Sequence, residues 1–361
     1  MAKYRLEPTP DTVADVFNRD RPPVLTVSPG DTVVVRSLDA SGHLARQQSP
    51  GDRQQPTMFS AARGHCLTGP IAVRGARPGM VLSVHFISLR PDNWGWTVAG
   101  ARSNRLTRRL GVVEGQPSWL LWDLDIEQGI GTSNLGYAVA LAPFLGVVGL
   151  PPEESGEHST NPPRAKGGGN IDCRELRAGS TLYLPVTVPA ALLFVGDGHA
   201  AQGDGEVAGT AIECAMTTEI TVNLVSDPPV AGIHAVTPTA KITFGFGTDL
   251  NEAMGDALDA MLTWMQSLYG LDRTAALSLA SPAVNLRITQ VANDAWGVHA
   301  VLPDGALSAA AGTRSPARSS HDRSRTPCPA PEVRDGAGQA APAGRQRSVP
   351  GVRGPVQPPA G

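Results

Sequence analysis

The chain of 361 residues is short of several things, and each shortage removes a class of function. Cysteine occurs four times, at Cys66, Cys173, Cys214 and Cys328, and never as C-x-x-C, so neither a zinc knuckle nor a redox dithiol is indicated. Aromatic residues make up only 5%. The formal net charge of -3 leaves no basic excess, so neither nucleic acid nor a membrane surface is expected as a partner. No apolar run approaches the roughly 18 residues that a membrane helix requires. The opening MAKYRLEPTPDTVADV has no apolar stretch ahead of a small-residue cleavage site, so a cytoplasmic protein with reduced thiols is expected. There is no G-x-S-x-G elbow and no Gly/Ser-rich S-x-x-K pattern, which argues against a serine nucleophile.

What is plentiful is glycine (40) and proline (32), a balance that favours short strands and turns over long helices. Three segments share a turn-then-strand pattern: VSPGDTVVVRSLDA (27–40), VRGARPGMVLSVHFISL (73–89) and RELRAGSTLYLPVTVP (174–189). ITVNLV (220–225), KITFGFG (241–247) and VNLRITQV (284–291) read as further strands. One helix is expected over 249–270, where Met254, Leu258, Met261, Leu262, Met265 and Leu268 recur at helical spacing and are expected to face the core. A shorter one is expected at DRTAALSLAS. The fold class is therefore mainly β, sandwich- or barrel-like, with a β-rich domain over 1–230 and a small α/β portion over 231–307. Residues 308–361 hold no aromatic residue, no lysine and no apolar period. They are expected to form a disordered low-complexity tail, either genuine or the out-of-frame translation of a GC-rich message.

Chemistry concentrates in GDGHAAQGDGEVAGTAIE (196–213), one histidine among four carboxylates. Acidic side chains held together repel one another, so the segment needs a compensating positive charge. Just upstream, KGGGNIDCREL supplies Asn170 and Asp172, and strands joined by turns can bring Asp172, Asp197 and His199 to one end of a sheet. Carboxylates with a single imidazole match an open Zn²⁺ site, while a shell dominated by carboxylates suits Ca²⁺ or Mn²⁺ better. A water on such an ion is acidified, and a remaining carboxylate can act as general base. Each residue also has a plainer role open to it. Asp197 and Asp204 sit in G-D-G turns and can cap them, His199 can be a hydrogen-bonded core histidine, and Glu206 can be solvated. Glu213, between Ile212 and Cys214 on an expected strand, needs a partner if buried. Cys173 beside Asp172 has no histidine neighbour in sequence and reads as a small buried hydrophobe rather than a nucleophile.

The stretch resembles the acetamidase/formamidase family. The resemblance runs through PPVLTVSPGDTVVVRSLDA, HCLTGPIAVRGARPGMVLSVHFI, NWGWT, FLGVVGLPPEE, HSTNPP, GGNIDCRELRAGSTLYLPV, GDGHAAQGDGEVAGTAIE and WGVHAVLP. It implies a metal-dependent hydrolase of short aliphatic amides (formamide, acetamide) using metal-activated water, a divalent metal with zinc ahead of calcium or manganese, and a homo-oligomer, dimer or higher. Placed on the family's motif positions, Asp172, Asp197 and His199 are expected as metal ligands. Glu206 is expected as general base with Glu213 behind it, and Gln202 and Asp204 as further catalytic residues. His65 in HCLTGP and Trp96 are expected in the substrate pocket. Two alternatives stay open: a hydrolase of another linear C–N bond (a ureide or a larger amide), or a non-catalytic metal-binding relative. The tail and the stretch PTPDTVADVFNRDRPP depart from the pattern.

Overall fold

In Thr32–Ser37, and over the first seven residues of Met216–Val225, every second side chain is buried, the mark of a sheet with one face on a core. Leu67–Val73, Phe144–Gly149 and Leu193–His199 are buried at every position, so they run through the interior and lose the alternation. The computed structural model describes residues 1–308 apart from 53, 102, 113 and 114. It sorts the strands into two sheets.

The nine-stranded sheet runs in the order Lys3–Leu6, Thr32–Ser37, Met216–Val225, Val81–Pro91, Thr181–Pro185, His234–Val236, Ala240–Gly247, Trp296–Pro303, Asn285–Gln290. All three turn-then-strand segments contribute to it. The eleven-stranded sheet orders Ala138–Ala140, Ile130–Ser133, Ser118–Asp125, Trp94–Ala99, Glu213–Cys214, Leu193–His199, Phe144–Gly149 and Gly168–Asn170. Leu67–Val73 branches from Leu193–His199 and carries Val13–Ala14 and Leu25–Val27. Val33, Val84, Leu182 and Ile242 of the first sheet share one buried cluster with Ile71, Leu145, Val148 and Val195 of the second. The mainly β expectation holds, as two sheets packed face to face.

His234–Val236 pairs antiparallel with Thr181–Pro185, so the C-terminal portion extends the nine-stranded sheet, and Met1–Ser308 forms one unit. The expected tail lies outside the described residues. Helix Leu250–Tyr269 starts where the Asp249 carboxylate accepts from the amides of Asn251 and Glu252, and stops at Gly270 in the left-handed region. Its buried face corrects the expected stripe. Met261, Leu262 and Met265 are buried, but Met254 and Leu268 are exposed and Ala253, Ala257 and Trp264 take the remaining core positions. The helix lies close on the sheet, and small residues permit it: a Cβ at Gly245 would stand 2.0 Å from the Ala253 carbonyl oxygen. The second helix, Arg273–Ala283, packs its alanines into the same cluster. Among the described residues no helix is long and apolar enough to cross a membrane.

Candidate active site

One line of cross-strand neighbours assembles most of the site. Phe144 pairs with His199, His199 with Glu213, and Glu213 with Trp96. Directly opposed residues on adjacent strands stand within about 5.5 Å at Cβ, so these pairings alone place His199 beside Glu213. The Phe144 ring meets the His199 imidazole edge-on at 5.1 Å. Gly146 falls opposite Asp197 in the register that pairs Leu145 with Gly198 and Val147 with Gly196. Gly168–Asn170 pairs with the other edge of Phe144–Gly149, and the amides of Ile171 and Asp172 both donate to the Gly146 carbonyl, which brings Asp172 to the same spot. Gly146 itself is indispensable. A Cβ there would lie 2.4 Å from Asp197 Oδ2, 2.6 Å from Asp172 Oδ1 and 2.8 Å from His199 Cε1.

The result is two trios sharing one imidazole, Asp172–His199–Glu206 and Asp197–His199–Glu213, each with donor atoms within 4.8 Å of one another. All five residues are buried. His199 Nε2 lies 3.4 Å from Asp197 Oδ1 and 3.3 Å from Glu213 Oε1. Even so, His199 Nε2, both carboxylate oxygens of Asp172 and Glu213 Oε2 have no hydrogen-bond partner among the described residues. Buried polar atoms are very seldom left this way in bulk, and here they converge. Asp172, Asp197 and Glu206 also hold left-handed backbone, with φ of 53°, 58° and 45°. Such strain persists only where the surroundings over-determine it, and it clusters at functional sites.

Gln202 settles which imidazole nitrogen faces the cluster. Its Nε2 donates to the Asp172 carbonyl at 2.8 Å, a group that can only accept. Its Oε1 therefore faces His199 Nδ1 at 2.9 Å, so Nδ1 carries a proton and Nε2 is the nitrogen turned toward the carboxylates. Gln202, expected as a catalytic residue, is thus placed as the orienter of His199. Asp204 departs from its expected role altogether. It is half-exposed and paired with Arg287, 2.7 Å away, whereas Glu206, in left-handed backbone, is buried. Glu206 is 7% exposed, which sets aside the plainer alternative of a solvated turn residue.

The electrostatics fit a cluster short of positive charge. Burial first, then Asp197 and Glu213 against the opposing charge of His199, hold the Asp172 carboxyl well above the usual range. Burial and Asp172 do the same to Glu206. Burial pushes Glu213 up to about 7, although His199 pulls the other way. Burial acts in the same sense on Asp197, but His65 and His199 outweigh it and the net shift is downward. His199 is driven down by burial and, more strongly, up by Glu213 and Asp197. Four buried carboxylates around one imidazole exceed what that imidazole can neutralise.

A cavity of about 340 Å³ opens onto Asp197, Glu206, Glu213 and Asn170. His65 lines it, with Nε2 4.0 Å from Asp197 Oδ2 and Nδ1 3.0 Å from the Thr160 hydroxyl. Trp96 lines it too. Its indole N–H donates to Asp39 at 2.9 Å and its ring meets Trp119, a second aromatic wall, at 5.3 Å. Sequence reasoning had not singled out Gly146 or Trp119: a glycine within FLGVVG and one tryptophan among six carry no spacing signal. Cys173 and Cys214 are free and buried, and burial holds both thiols well above their usual range, the opposite of an activated nucleophile. Cys328 lies outside the described residues.

Residues 5–161 and 153–303 match the profile of the Acetamidase/Formamidase family. The chain belongs to that family. A formamidase of Methylophilus methylotrophus is 28% identical over 306 residues, covering 66% of this chain and 72% of that protein. A Schizosaccharomyces pombe protein provisionally named a formamidase is 27% identical over 247 residues, 53% of this chain and 58% of its own length. The chain thus aligns with under two thirds of that family member. The crystal structure of an acetamidase from Bacillus halodurans superposes with a TM-score of 0.73 at 26% identity, over 83% of this chain and 97% of the other.

Proposed function

We propose that the protein is a cation-dependent amidase that converts small linear amides to carboxylate and ammonia. The observation that carries this is the convergence of orphaned donor atoms, Asp172 Oδ1 and Oδ2, His199 Nε2 and Glu213 Oε2, in a buried acidic cluster facing a cavity. The donor set fits a divalent ion at His199, with Asp197 and Glu213 from one trio and Asp172 from the other, zinc by its imidazole and calcium or manganese by its carboxylates. Bound there, such an ion supplies Lewis-acid polarisation of a carbonyl and acidifies water.

The remaining work falls to the chain. Gln202 holds His199 in the tautomer that presents Nε2. Glu206 lines the cavity, which supports its carboxylate as the base that takes a proton from the attacking water and returns it to the departing nitrogen. Water adds to the carbonyl carbon, the C–N bond breaks, and the transferred proton leaves with ammonia. The reading further takes the protein to be a cytoplasmic homo-oligomer acting on a small molecule rather than on nucleic acid, and the modest net charge supports only the last of these. Ammonia release from formamide, acetamide and propionamide tests it, and no release from any linear amide would remove it.

The cavity favours a second reading of substrate size. At about 340 Å³, walled by Trp96, Val98 and Trp119, it is in the range that accepts drug-sized ligands and far exceeds what formamide fills. On this reading larger apolar amides are the better substrates. Trp119→Ala then raises KM for butyramide or benzamide by about tenfold and leaves formamide nearly unchanged. Equal effects on both would leave the short amides as substrates.

A further inference from the structure

Two segments of the site meet at one guanidinium outside the cavity. Arg287, on Asn285–Gln290, approaches Asp204 Oδ2 with Nη2 at 2.7 Å and Nε at 2.8 Å, and its Nη1 donates to Glu175 Oε1. Asp204 stands two residues before Glu206, and Glu175 three residues after Asp172. On the other oxygen of Glu175, the Cys173 thiol donates at 3.3 Å and His299 Nε2 lies at 3.2 Å, with His299 Nδ1 2.8 Å from the Thr289 hydroxyl. The main chain continues the connection. The Gly205 amide donates to the Thr289 carbonyl at 3.3 Å, and the Val291 amide to the Gly205 carbonyl at 2.8 Å. The strand Asn285–Gln290 thereby clamps both chain segments whose carboxylates, Asp172 and Glu206, sit in left-handed backbone.

We propose that Arg287 is a positioning residue. By tying 172–175 to 203–206 it sets the separation of Asp172 and Glu206, and so governs cation affinity and turnover without touching substrate. Neither Arg287 nor Glu175 lines the cavity, which keeps this role apart from binding. The proposal rests on the cation-dependent reading of that cluster. Arginine suits this role, because a planar fork engages two carboxylates at once while lysine offers one point charge.

The test measures the zinc dissociation constant by competition with a chromophoric chelator, together with kcat and KM, in the full chain. Arg287→Gln is expected to weaken zinc about 10–100-fold and lower kcat about tenfold, with KM within about twofold. Arg287→Lys should recover part of both. Asp204→Asn, which frees only the turn, should fall between parent and Arg287→Gln. Arg287→Gln that binds zinc as tightly as the parent with unchanged kcat, or that only lowers Tm, overturns the proposal, as does a parent that binds no zinc. If Arg287→Gln fails to fold, Asp204→Asn decides, and unchanged zinc affinity and kcat there overturn it. Zinc affinity is read without substrate, so failure of amide turnover in the parent removes the amidase reading alone.

Discussion

The cluster around His199 and the helical layer of Leu250–Tyr269 are both buried, yet they are built on opposite principles. In the helical layer local and global preferences agree: Asp249 caps the first turn, Gly270 ends the last, and alanines let the helix approach the sheet. In the cluster they conflict. Carboxylates are buried against their preference for water, three non-glycine residues take left-handed backbone, and four donor atoms around His199 have no hydrogen-bond partner among the described residues. Such a costly arrangement is a mark of a functional site rather than of a core built for stability. The contrast teaches where to expect loss of function and where to expect loss of stability.

The sharpest break in that comparison is Glu206→Gln. It should lower kcat by about 10²–10⁴-fold and keep the cation, because the amide retains the shape but cannot take a proton. Glu213→Gln should instead release the cation first and recover partly when cation is added. Metal content measured beside kcat in both variants checks this, and the reverse pattern exchanges the two roles. Next is Gly146→Ala, whose methyl would stand 2.4 Å from Asp197 Oδ2. The carboxylates must move by an ångström or so, which should cost about 10²-fold in kcat/KM with little change in Tm.

Gly245→Ala reverses that outcome. Its methyl would meet the Ala253 carbonyl at 2.0 Å, so the helix must shift away. Urea unfolding should show a loss of about 3 kcal/mol, with kcat of the remaining folded protein unchanged. If catalysis falls as far as stability, the two regions are coupled rather than separate.

The two regions were unequally legible in the sequence. His199, Asp197, Glu206 and Glu213 fall within eighteen contiguous residues, and their motif could be read directly. Which of them turn inward could not, because Asp204 and Glu206 are two apart on a turn and the ion pairs that hold Asp204 outward, with Arg287 and Arg174, are long-range. Gly146 contributes by having no side chain, and its register opposite Asp197 arises from long-range pairing that no local spacing encodes. In the helix both ends were legible from Asp249 and Gly270. The buried face was not, since methionine and leucine outrank alanine in any hydrophobic pattern while close packing against Gly245 selects alanine.

A smaller effect sharpens the comparison from the stability side. His234 stacks on Tyr183 at 4.6 Å and meets Trp264 at 5.3 Å, and burial lowers its pKa to about 4, against a weak upward pull from the Gly232 carbonyl. A folded-state pKa below the unfolded one means the neutral ring is favoured in the fold. Its contribution is therefore complete above the unfolded value near 6.5 and is lost as pH falls toward 4, by at most about 3 kcal/mol. Urea unfolding of His234→Phe between pH 7 and pH 4 should show a shallower acid limb than the parent, and identical slopes would show that His234 does not titrate on unfolding.

Ammonia release from formamide, acetamide and butyramide, followed with bound-cation content in chelated and reloaded preparations of the full chain, bears most directly on the site. Turnover should track bound cation: the chelated protein stays folded but inactive, and readdition of the ion restores the rate. Cation-free protein that hydrolyses amides at the full rate would contradict the role given to Asp172, Asp197 and His199.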